Sequence, residues 1–317
     1  MLIILMRYRW VDVYRGIAVL FMVLLHFFVN IFPSDPLPLL VYSMRGVISI
    51  GDMAIALFLF ISGVSICISI YNKKKEGISK EGAIKHVLIR YSKIFALGFL
   101  LDIVLIASVQ KIWWVLEAIG MSGLFAMFFI CFSDNMKILA VLVVGLCYSY
   151  LASIPAVYAL LSSFPNGGLF GSISLSSIVL IGYMSEEYFM KRKKNALQSL
   201  IKVGVLLILT GFLLSRFMEY DRNVGTLPYV LLSSGFCLLF LVLVYWVVEL
   251  KGISSGILED FGKSALLVFV LNYPVLILAT LLGFENSFST EQSALIAVVL
   301  ILLLVVASKL RKRFRKD

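Results

Sequence analysis

Long apolar runs separated by short polar segments dominate the 317-residue chain. A helix that crosses a bilayer needs about 20 mostly apolar residues, and ten runs approach that length. They predict spans at residues 13–32, 47–71, 87–108, 112–132, 138–153, 171–190, 203–218, 227–249, 263–283 and 291–308. The segment 153–170 contains two prolines and a Gly-Gly pair, so we expect a loop there that dips into the bilayer.

The loops between these runs differ in charge. An even number of spans puts both termini on one side, and that side takes 24 of the 28 basic and 10 of the 18 acidic residues. Its formal charge is therefore +14, against −4 on the other side. Because basic loops stay in the cytoplasm, this pattern predicts an integral plasma-membrane protein whose N- and C-termini are both cytoplasmic.

The composition agrees with this topology. Hydrophobic residues make up 61% of the chain and charged residues 15%, and the mean hydropathy is +1.02. Soluble domains average about 45–50% apolar and about 25% charged residues. A soluble enzyme, a nucleic-acid-binding module and a disordered chain are therefore excluded. We expect an all-α polytopic membrane protein of about ten transmembrane helices, with residues 1–317 in a single domain.

The four cysteines give no sign of a metal centre. Cys67, Cys131, Cys147 and Cys237 each lie in an apolar run, without a CxxC pair. Cysteines in such runs usually act as small buried hydrophobic residues. We therefore expect buried thiols and no metal.

The first span carries the densest set of polar residues. Asp12, Arg15, His26 and Asn30 recur at helical spacing, which places them on one face. Asp12 and Arg15 are three residues apart and are expected to pair at the cytoplasmic end. His26 lies about 16 Å further along the helix axis, in the outer half of the bilayer.

His26 is the leading catalytic candidate. An ionisable side chain in the hydrocarbon must find a partner or a cavity, which makes it a functional candidate by default. An imidazole also titrates near neutral pH and suits proton transfer. The alternative is a structural histidine with satisfied hydrogen bonds. The second histidine, His86, is expected in a basic cytoplasmic loop.

Other polar residues are predicted at a similar depth. Asp52 opens the second span and could orient an imidazole or fix an acceptor hydroxyl. Ser62-Gly63 is more typical of close helix packing. Asp102 and Glu117 either line an outward cavity or simply lie near helix ends. Asn272 lies inside the predicted ninth span, where its amide needs a hydrogen-bond partner.

The opening residues resemble a known family. Arg9, Asp12, Arg15 and Gly16 match the R-x-x-D-x-x-R-G start of two groups of transmembrane acyltransferases. These are the heparan-α-glucosaminide N-acetyltransferase family and the broader acyltransferase-3 proteins.

Four later segments favour the heparan-α-glucosaminide N-acetyltransferase family, and they occur in family order. The stretch from Gly51 to Gly63 resembles its "ADLVFPxFxFxxG" motif, and Trp114 to Gly120 resembles "GVLQRIG". Further along, Asn223 to Leu231 resembles "NKxLWTPSYVL", and Gly262 to Tyr273 resembles "GxNSLxVYxxH".

The resemblance implies acetyl transfer across a membrane. Acetyl-CoA, or another acyl-CoA, would be the cytoplasmic co-substrate, held by Arg9, Asp12 and Arg15. His26 would act as general base or acyl carrier beside Asp52. The acceptor would be a sugar, a glycan or a lipid-linked sugar on the far side. Its expected binding residues are Asn30, Arg45, Asp102, Glu117, Asn223 and Asn272.

This chain differs from the family pattern at informative positions. The Gln-Arg pair of "GVLQRIG" is Glu117-Ala118 here, and the usual ninth-span histidine is Asn272. The heparan enzymes have asparagine where this chain has His26. A changed activity, or a catalytically inactive relative, is therefore a second hypothesis.

A transporter or flippase for a polar lipid or small metabolite is a further hypothesis, although no internal repeat of the kind typical of transporters is evident. Membrane lipids are expected partners, nucleic acid is not, and a homodimer is an open alternative.

Overall fold

The computed structural model describes residues 8–31, 46, 48–105, 113–191, 196–272, 299 and 305. All regular elements among them are helical. They are α1 (Arg9–Ile31), α2 (Met53–Lys75), α3 (Lys80–Leu105), α4 (Val115–Ile130), α5 (Asp134–Ala152), α6 (Pro155–Ser162), α7 (Gly168–Lys191), α8 (Ala196–Leu214), α9 (Leu227–Tyr245) and α10 (Gly256–Lys263). The prediction of an all-α fold is confirmed for this part of the chain.

Short irregular turns extend several of these helices. A 3-10 turn at Ile50–Asp52 leads into α2, and another at Pro165–Gly167 leads into α7. A π-helical turn at Trp246–Leu250 continues α9. Helical backbone also covers residues 265–272, at the start of the predicted ninth span.

Five helical segments are long and apolar enough to cross a membrane. Within the described ranges these segments are Ile50–Lys75, Asp134–Ala152, Pro165–Lys191, Ala196–Leu214 and Leu227–Leu250. The helix Val115–Ile130 is apolar but shorter. A total of ten spans and the position of the termini stay predictions, since most of the last two predicted spans lies outside the described residues.

Two segments expected to be loops contain helices. Within 153–170, Pro155 supplies a fixed φ at the first helical position, and the two-turn helix α6 follows. The segment before the ninth span contains α10. His86 also lies on a helix, since α3 begins at Lys80, seven residues before the predicted span.

The described residues separate into two compact units, and the prediction of one domain over 1–317 stays a prediction. Unit 1 takes most of its described residues from Ile55–Val242. Unit 2 contains residues 8–31, 49–54 and 243–272.

In unit 1, α2 and α7 meet with their backbones in contact. A methyl group added at Gly63 would overlap the carbonyl oxygen of Val179, and one added at Gly182 would overlap that of Phe60. The predicted packing role of Gly63 is therefore confirmed. Small residues permit such close approach, which strengthens van der Waals contact between membrane helices.

The helix α8 presents exposed apolar side chains on the outside of unit 1. One face of α8 packs on α9 through Gly204 and Gly211, which lie against Gly235 and Leu232. The side chains on its other faces are exposed, with Leu209 at 61%. Exposed leucine on a spanning helix is suited to contact with lipid tails.

Unit 2 is built around an equally close contact between α1 and α10. A methyl group at Gly16 would overlap the carbonyl oxygen of Leu258, and one at Gly262 would overlap that of Asp12. Trp10 packs edge-on against Tyr245, with ring centroids 5.9 Å apart. These contacts fix the first turns of α1, where the predicted donor-binding residues lie.

We predict that Gly63→Ala destabilises the protein. The new methyl group must displace the backbone of α7, and overpacking of this kind costs about 1–3 kcal/mol of unfolding free energy. Thermal unfolding in detergent should show a lower Tm. Gly256→Ala is the matched control, because a methyl group there meets no atom within 4 Å. An equal Tm for both variants would contradict the packing role.

Candidate active site

The predicted pair at the start of α1 is confirmed. Arg15 Nη1 lies 3.5 Å from Asp12 Oδ1, and the two residues are one helical turn apart. The Asp12 side chain is 3% exposed, whereas that of Arg15 is 25% exposed. The buried carboxylate therefore has its countercharge beside it, and the Arg15 side chain extends towards the surface.

Arg9 makes an ion pair that the sequence did not predict. Its Nη2 lies 3.0 Å from Glu259 Oε1, and its Nε donates to the same oxygen at 3.1 Å. Arg9 also donates to the Ser254 hydroxyl, and Lys263 Nζ lies 3.3 Å from Glu259 Oε2. The positive charge of Arg9 is thus matched by a carboxylate of α10.

The outer half of α1 is helical through Ile31. His26 and Asn30 lie on this helix, but their side chains fall outside the described part of the structure, as does the whole of Arg45. The expected roles of these three residues stay predictions.

Asp52 has a structural task at the entrance to α2. It ends the 3-10 turn and is fully buried. Its Oδ2 accepts a hydrogen bond from the Ser49 amide at 3.1 Å, while Ser49 Oγ accepts one from the Gly51 amide at 3.1 Å. This reciprocal capping holds the turn that begins the second span. Its predicted role beside His26 stays a prediction.

Asn272 is the last residue of the described helical backbone at 265–272. Its side chain is fully buried. Burial agrees with the expectation that this amide needs a partner within the protein. Its role towards an acceptor is untested.

Asp102 and Glu117 lie together in unit 1. Their carboxyl groups lie close enough to interact electrostatically, although they come from different helices, α3 and α4. Asp102 is 8% exposed and Glu117 is 1% exposed. Gly98 of α3 makes room for this arrangement, because a methyl group there would lie 2.7 Å from Glu117 Cδ. The sequence analysis had left open two alternatives for these carboxyl groups, an outward cavity that both line and ordinary placement near helix ends.

A strained tryptophan is hydrogen-bonded to Asp102 of this pair. Trp113 has φ of +82°, a conformation that bulky residues rarely adopt. Its amide donates to Asp102 Oδ2 at 2.8 Å, and its indole Nε1 donates to Ser172 Oγ at 3.2 Å. Strained backbone persists where surrounding contacts hold it in place, and such positions cluster at functional sites.

The aromatic and carboxyl groups together form a candidate acceptor site. The rings of Phe95 and Trp113 lie 5.7 Å apart, and Phe99 stacks on Phe95 at 6.4 Å. Glu117 Oε1 has no hydrogen-bond partner among the described residues. A free carboxyl oxygen beside aromatic rings can accept hydrogen bonds from hydroxyl or amine groups of a ligand.

Asn223 belongs to a tightly bonded loop before α9. Its Oδ1 accepts a hydrogen bond from the amide of Asn166, which has a left-handed φ of +55°. Asp221 Oδ2 accepts from the Tyr158 hydroxyl at 2.7 Å, and the Asp221 amide donates to Thr226 Oγ1 at 3.0 Å. These bonds join the loop to the segment that carries α6. The geometry gives Asn223 a structural task, and its acceptor-binding role stays a prediction.

Sequence reasoning missed three charged residues on α5 and α7. Lys137 is only 2% exposed, and its Nζ lies 2.7 Å from Glu187 Oε2. Glu186 is 1% exposed, and neither of its carboxylate oxygens has a hydrogen-bond partner among the described residues. The sequence placed these residues in basic loops or at span ends. Its local signals were the i, i+3 spacing of Asp134 and Lys137 and the i, i+4 spacing of Glu187 and Lys191.

The expectation of buried cysteines holds for two of the four. Cys67 and Cys237 are buried, whereas Cys131 and Cys147 are exposed. Cys131 follows the last turn of α4, and Cys147 lies on α5, whose apolar side chains are largely exposed. An apolar run predicts burial only when protein, rather than lipid, covers it. The described residues contain no cluster of three metal-binding side chains.

The family model for the catalytic domain of heparan-alpha-glucosaminide N-acetyltransferase matches residues 7–206. The match covers more than half of the 317 residues and extends from α1 into α8. The chain therefore belongs to this family, and it is a membrane protein of the acetyltransferase class. No curated protein shows a match to the chain.

The Arg9–Glu259 contact generates a prediction about pH. Burial raises the pKa of Glu259, but hydrogen bonds from Arg9, Lys263 and Ser254 outweigh it, so the pKa lies below its ordinary value. The resulting stabilisation is present above the unfolded pKa of glutamate, about 4.3, and is lost as pH falls through the folded pKa. Wild type should therefore have a higher Tm than Glu259→Gln at pH 7, and the difference should shrink below about pH 4.

The control for this experiment removes the other half of the pair. In an Arg9→Gln background, Glu259→Gln should have a smaller effect on Tm at pH 7, because the main partner is already lost. A difference between wild type and Glu259→Gln that stays constant from pH 7 to pH 3 would contradict the assignment.

Proposed function

We propose that the protein is an acyl-CoA-dependent transmembrane O- or N-acetyltransferase. It moves an acetyl or related acyl group from a cytoplasmic donor to a sugar or glycan acceptor on the other side of the membrane. The observation that carries this proposal is the family match over residues 7–206. That range includes His26, Asp52, Asp102 and Glu117.

In the proposed reaction, the thioester C–S bond breaks and a new C–O or C–N bond forms at the acceptor. His26 takes the acceptor proton as a general base, and the CoA thiolate leaves and is protonated. In the two-step form, His26 first accepts the acyl group and then passes it on. The position of His26, about 16 Å along the helix from Arg15, supports a role on the outer side of the bilayer.

The proposed acceptor contacts use the carboxyl pair of unit 1. Glu117 offers an unused carboxyl oxygen, and Trp113 and Phe99 offer aromatic surface. Sugars present hydroxyl groups on their edges and C–H groups on their faces, so they suit this combination. The hydrogen bond that the Trp113 amide donates to Asp102 Oδ2 supports the shape of this proposed site.

The charge distribution supports a cytoplasmic donor. The side that carries both termini has a formal charge of +14 and attracts the phosphates of CoA. Arg15 is the partly exposed cation at the start of α1. We place the protein in the plasma membrane with both termini in the cytoplasm.

The test of the reaction uses the two histidines of the chain. Membrane vesicles that contain the protein receive acetyl-CoA labelled in the acetyl group, and label is counted in the glycan and lipid fractions. His26→Ala should abolish transfer, because no other outer-half histidine can replace the base. His86→Ala is the matched control and should keep wild-type activity, since His86 is exposed on α3.

Each negative outcome of this experiment contradicts a different part of the proposal. Wild-type transfer that survives His26→Ala overturns the catalytic assignment and leaves the reaction class intact. Absence of transfer and of acetyl-CoA binding by calorimetry in the wild type supports the inactive relative. Uptake of a polar lipid or metabolite into proteoliposomes without acyl donor supports the transporter.

The proposed orientation has its own test. Cys131 is exposed between α4 and α5, at an end predicted to face the cytoplasm. In a Cys147→Ser background, a membrane-impermeant maleimide should label Cys131 in inside-out vesicles but not in right-side-out vesicles. Phe217→Cys in a Cys131→Ser/Cys147→Ser background should show the opposite pattern, because residue 217 follows α8 and is 80% exposed. The same sidedness for both sites would overturn the topology.

A further inference from the structure

Unit 1 contains a cavity of about 380 Å³ at the end where α2 finishes and α3 and α5 begin. We call it the basic cavity. Its ionisable lining residues are Lys74, Lys80, Lys137, Lys191, Asp134 and Glu187, together with Cys131 and Tyr183. Its volume lies within the range of small-molecule sites, about 300–1,000 Å³.

The two carboxylates of the basic cavity are already engaged. Lys137 Nζ lies 2.7 Å from Glu187 and 3.1 Å from Asp134. Lys191 Nζ lies 3.2 Å from Glu187 and 3.6 Å from Asp134. These four residues form a neutral network, and Lys137 also sits 5.1 Å from the centre of the Tyr183 ring.

The remaining charge comes from Lys74 and Lys80. Neither has an ion-pair partner among the described residues, and both are exposed. The lysines on either side of Lys74 do have partners. Lys73 forms an ion pair with Glu76 at 2.8 Å, and Lys75 lies 4.6 Å from the centre of the Tyr71 ring. The lining therefore keeps two uncompensated positive charges.

The first turn of α5 adds amide donors to the same place. Ser133 is the N-cap residue of α5, and its side chain makes no capping hydrogen bond. It also lines the basic cavity. Unsatisfied amides at a helix N-terminus carry partial positive charge and favour anions, above all phosphate.

We propose that the basic cavity binds phosphate groups of a ligand through Lys74, Lys80 and the first turn of α5. Under the proposed function, on which this assignment rests, that ligand is the phosphate-bearing nucleotide end of the acyl donor. An anionic phospholipid headgroup shares the same chemistry. Lysine acts here as a point charge for phosphate rather than as a fixed planar fork.

Cys131 provides a native reporter for occupancy of the basic cavity. Protein in nanodiscs of neutral phosphatidylcholine is treated with maleimide, and modification of Cys131 is followed by peptide mass in a Cys147→Ser background. Acetyl-CoA and adenosine 3′,5′-bisphosphate, which have no free thiol to consume maleimide, should slow the reaction, whereas S-acetylpantetheine, which lacks phosphate, should not. In nanodiscs of anionic phosphatidylglycerol, slower modification without nucleotide would identify a lipid headgroup as the phosphate source.

Substitution of Lys74 and Lys80 tests whether the protection of Cys131 comes from binding in the basic cavity. Lys74→Ala/Lys80→Ala should raise the acetyl-CoA concentration needed for half-protection about tenfold or more, the factor expected for loss of a charge-assisted contact. Lys75→Ala is the matched control and should behave as wild type. Arginine at both positions should retain protection. Equal protection by S-acetylpantetheine, or unchanged protection in the double variant, would overturn the proposal.

A kinetic measurement distinguishes failure of the proposed phosphate site from failure of the proposed function. The double variant should raise KM for acetyl-CoA and leave KM for S-acetylpantetheine unchanged, because only the first donor carries phosphate. If the wild type uses neither donor, the proposed function fails, and Cys131 protection still decides the site. If wild type and double variant share the same KM for both donors, the site fails and the function stands.

Discussion

Helices in this chain approach most closely where glycine removes the side chain that would keep them apart. Gly63 and Gly182 bring α2 onto α7, and Gly16 and Gly262 bring α1 onto α10. In a bilayer, apolar side chains gain little by leaving lipid for protein, so close van der Waals contact must hold the helices together. The positions of the polar side chains follow from these contacts, since a helix pushed outward would carry its carboxylates and lysines with it.

The hydrophobic pattern predicted the helices that are apolar along their whole length. The runs at 171–190 and 227–249 correspond to α7 and α9 because apolar composition is what a spanning helix requires. It missed α10, an amphipathic helix of eight residues, since its Glu259, Asp260 and Lys263 make the segment look like a charged loop. It also missed α6, where two prolines suggested irregular backbone although one of them starts a helix.

Local spacing predicted part of the candidate site, and tertiary structure supplied the rest. The Asp12–Arg15 pair follows from a separation of three residues on one helix. The contact between Asp102 and Glu117 depends on the crossing of α3 and α4, which no local pattern encodes. The left-handed backbone of Trp113 and its hydrogen bond to Asp102 appear only in the folded protein.

The shortness of α4 links the surroundings of the Asp102–Glu117 pair to the thickness of the bilayer. Its 16 residues give a length of about 24 Å, less than the hydrocarbon core of about 30 Å. A helix shorter than the hydrocarbon core is matched to the bilayer by local thinning of the lipid or by polar groups at its ends. Glu117 lies in the first turn of α4, where such matching takes place. We therefore expect the chain length of the surrounding lipids to change the depth of the carboxyl pair in the membrane.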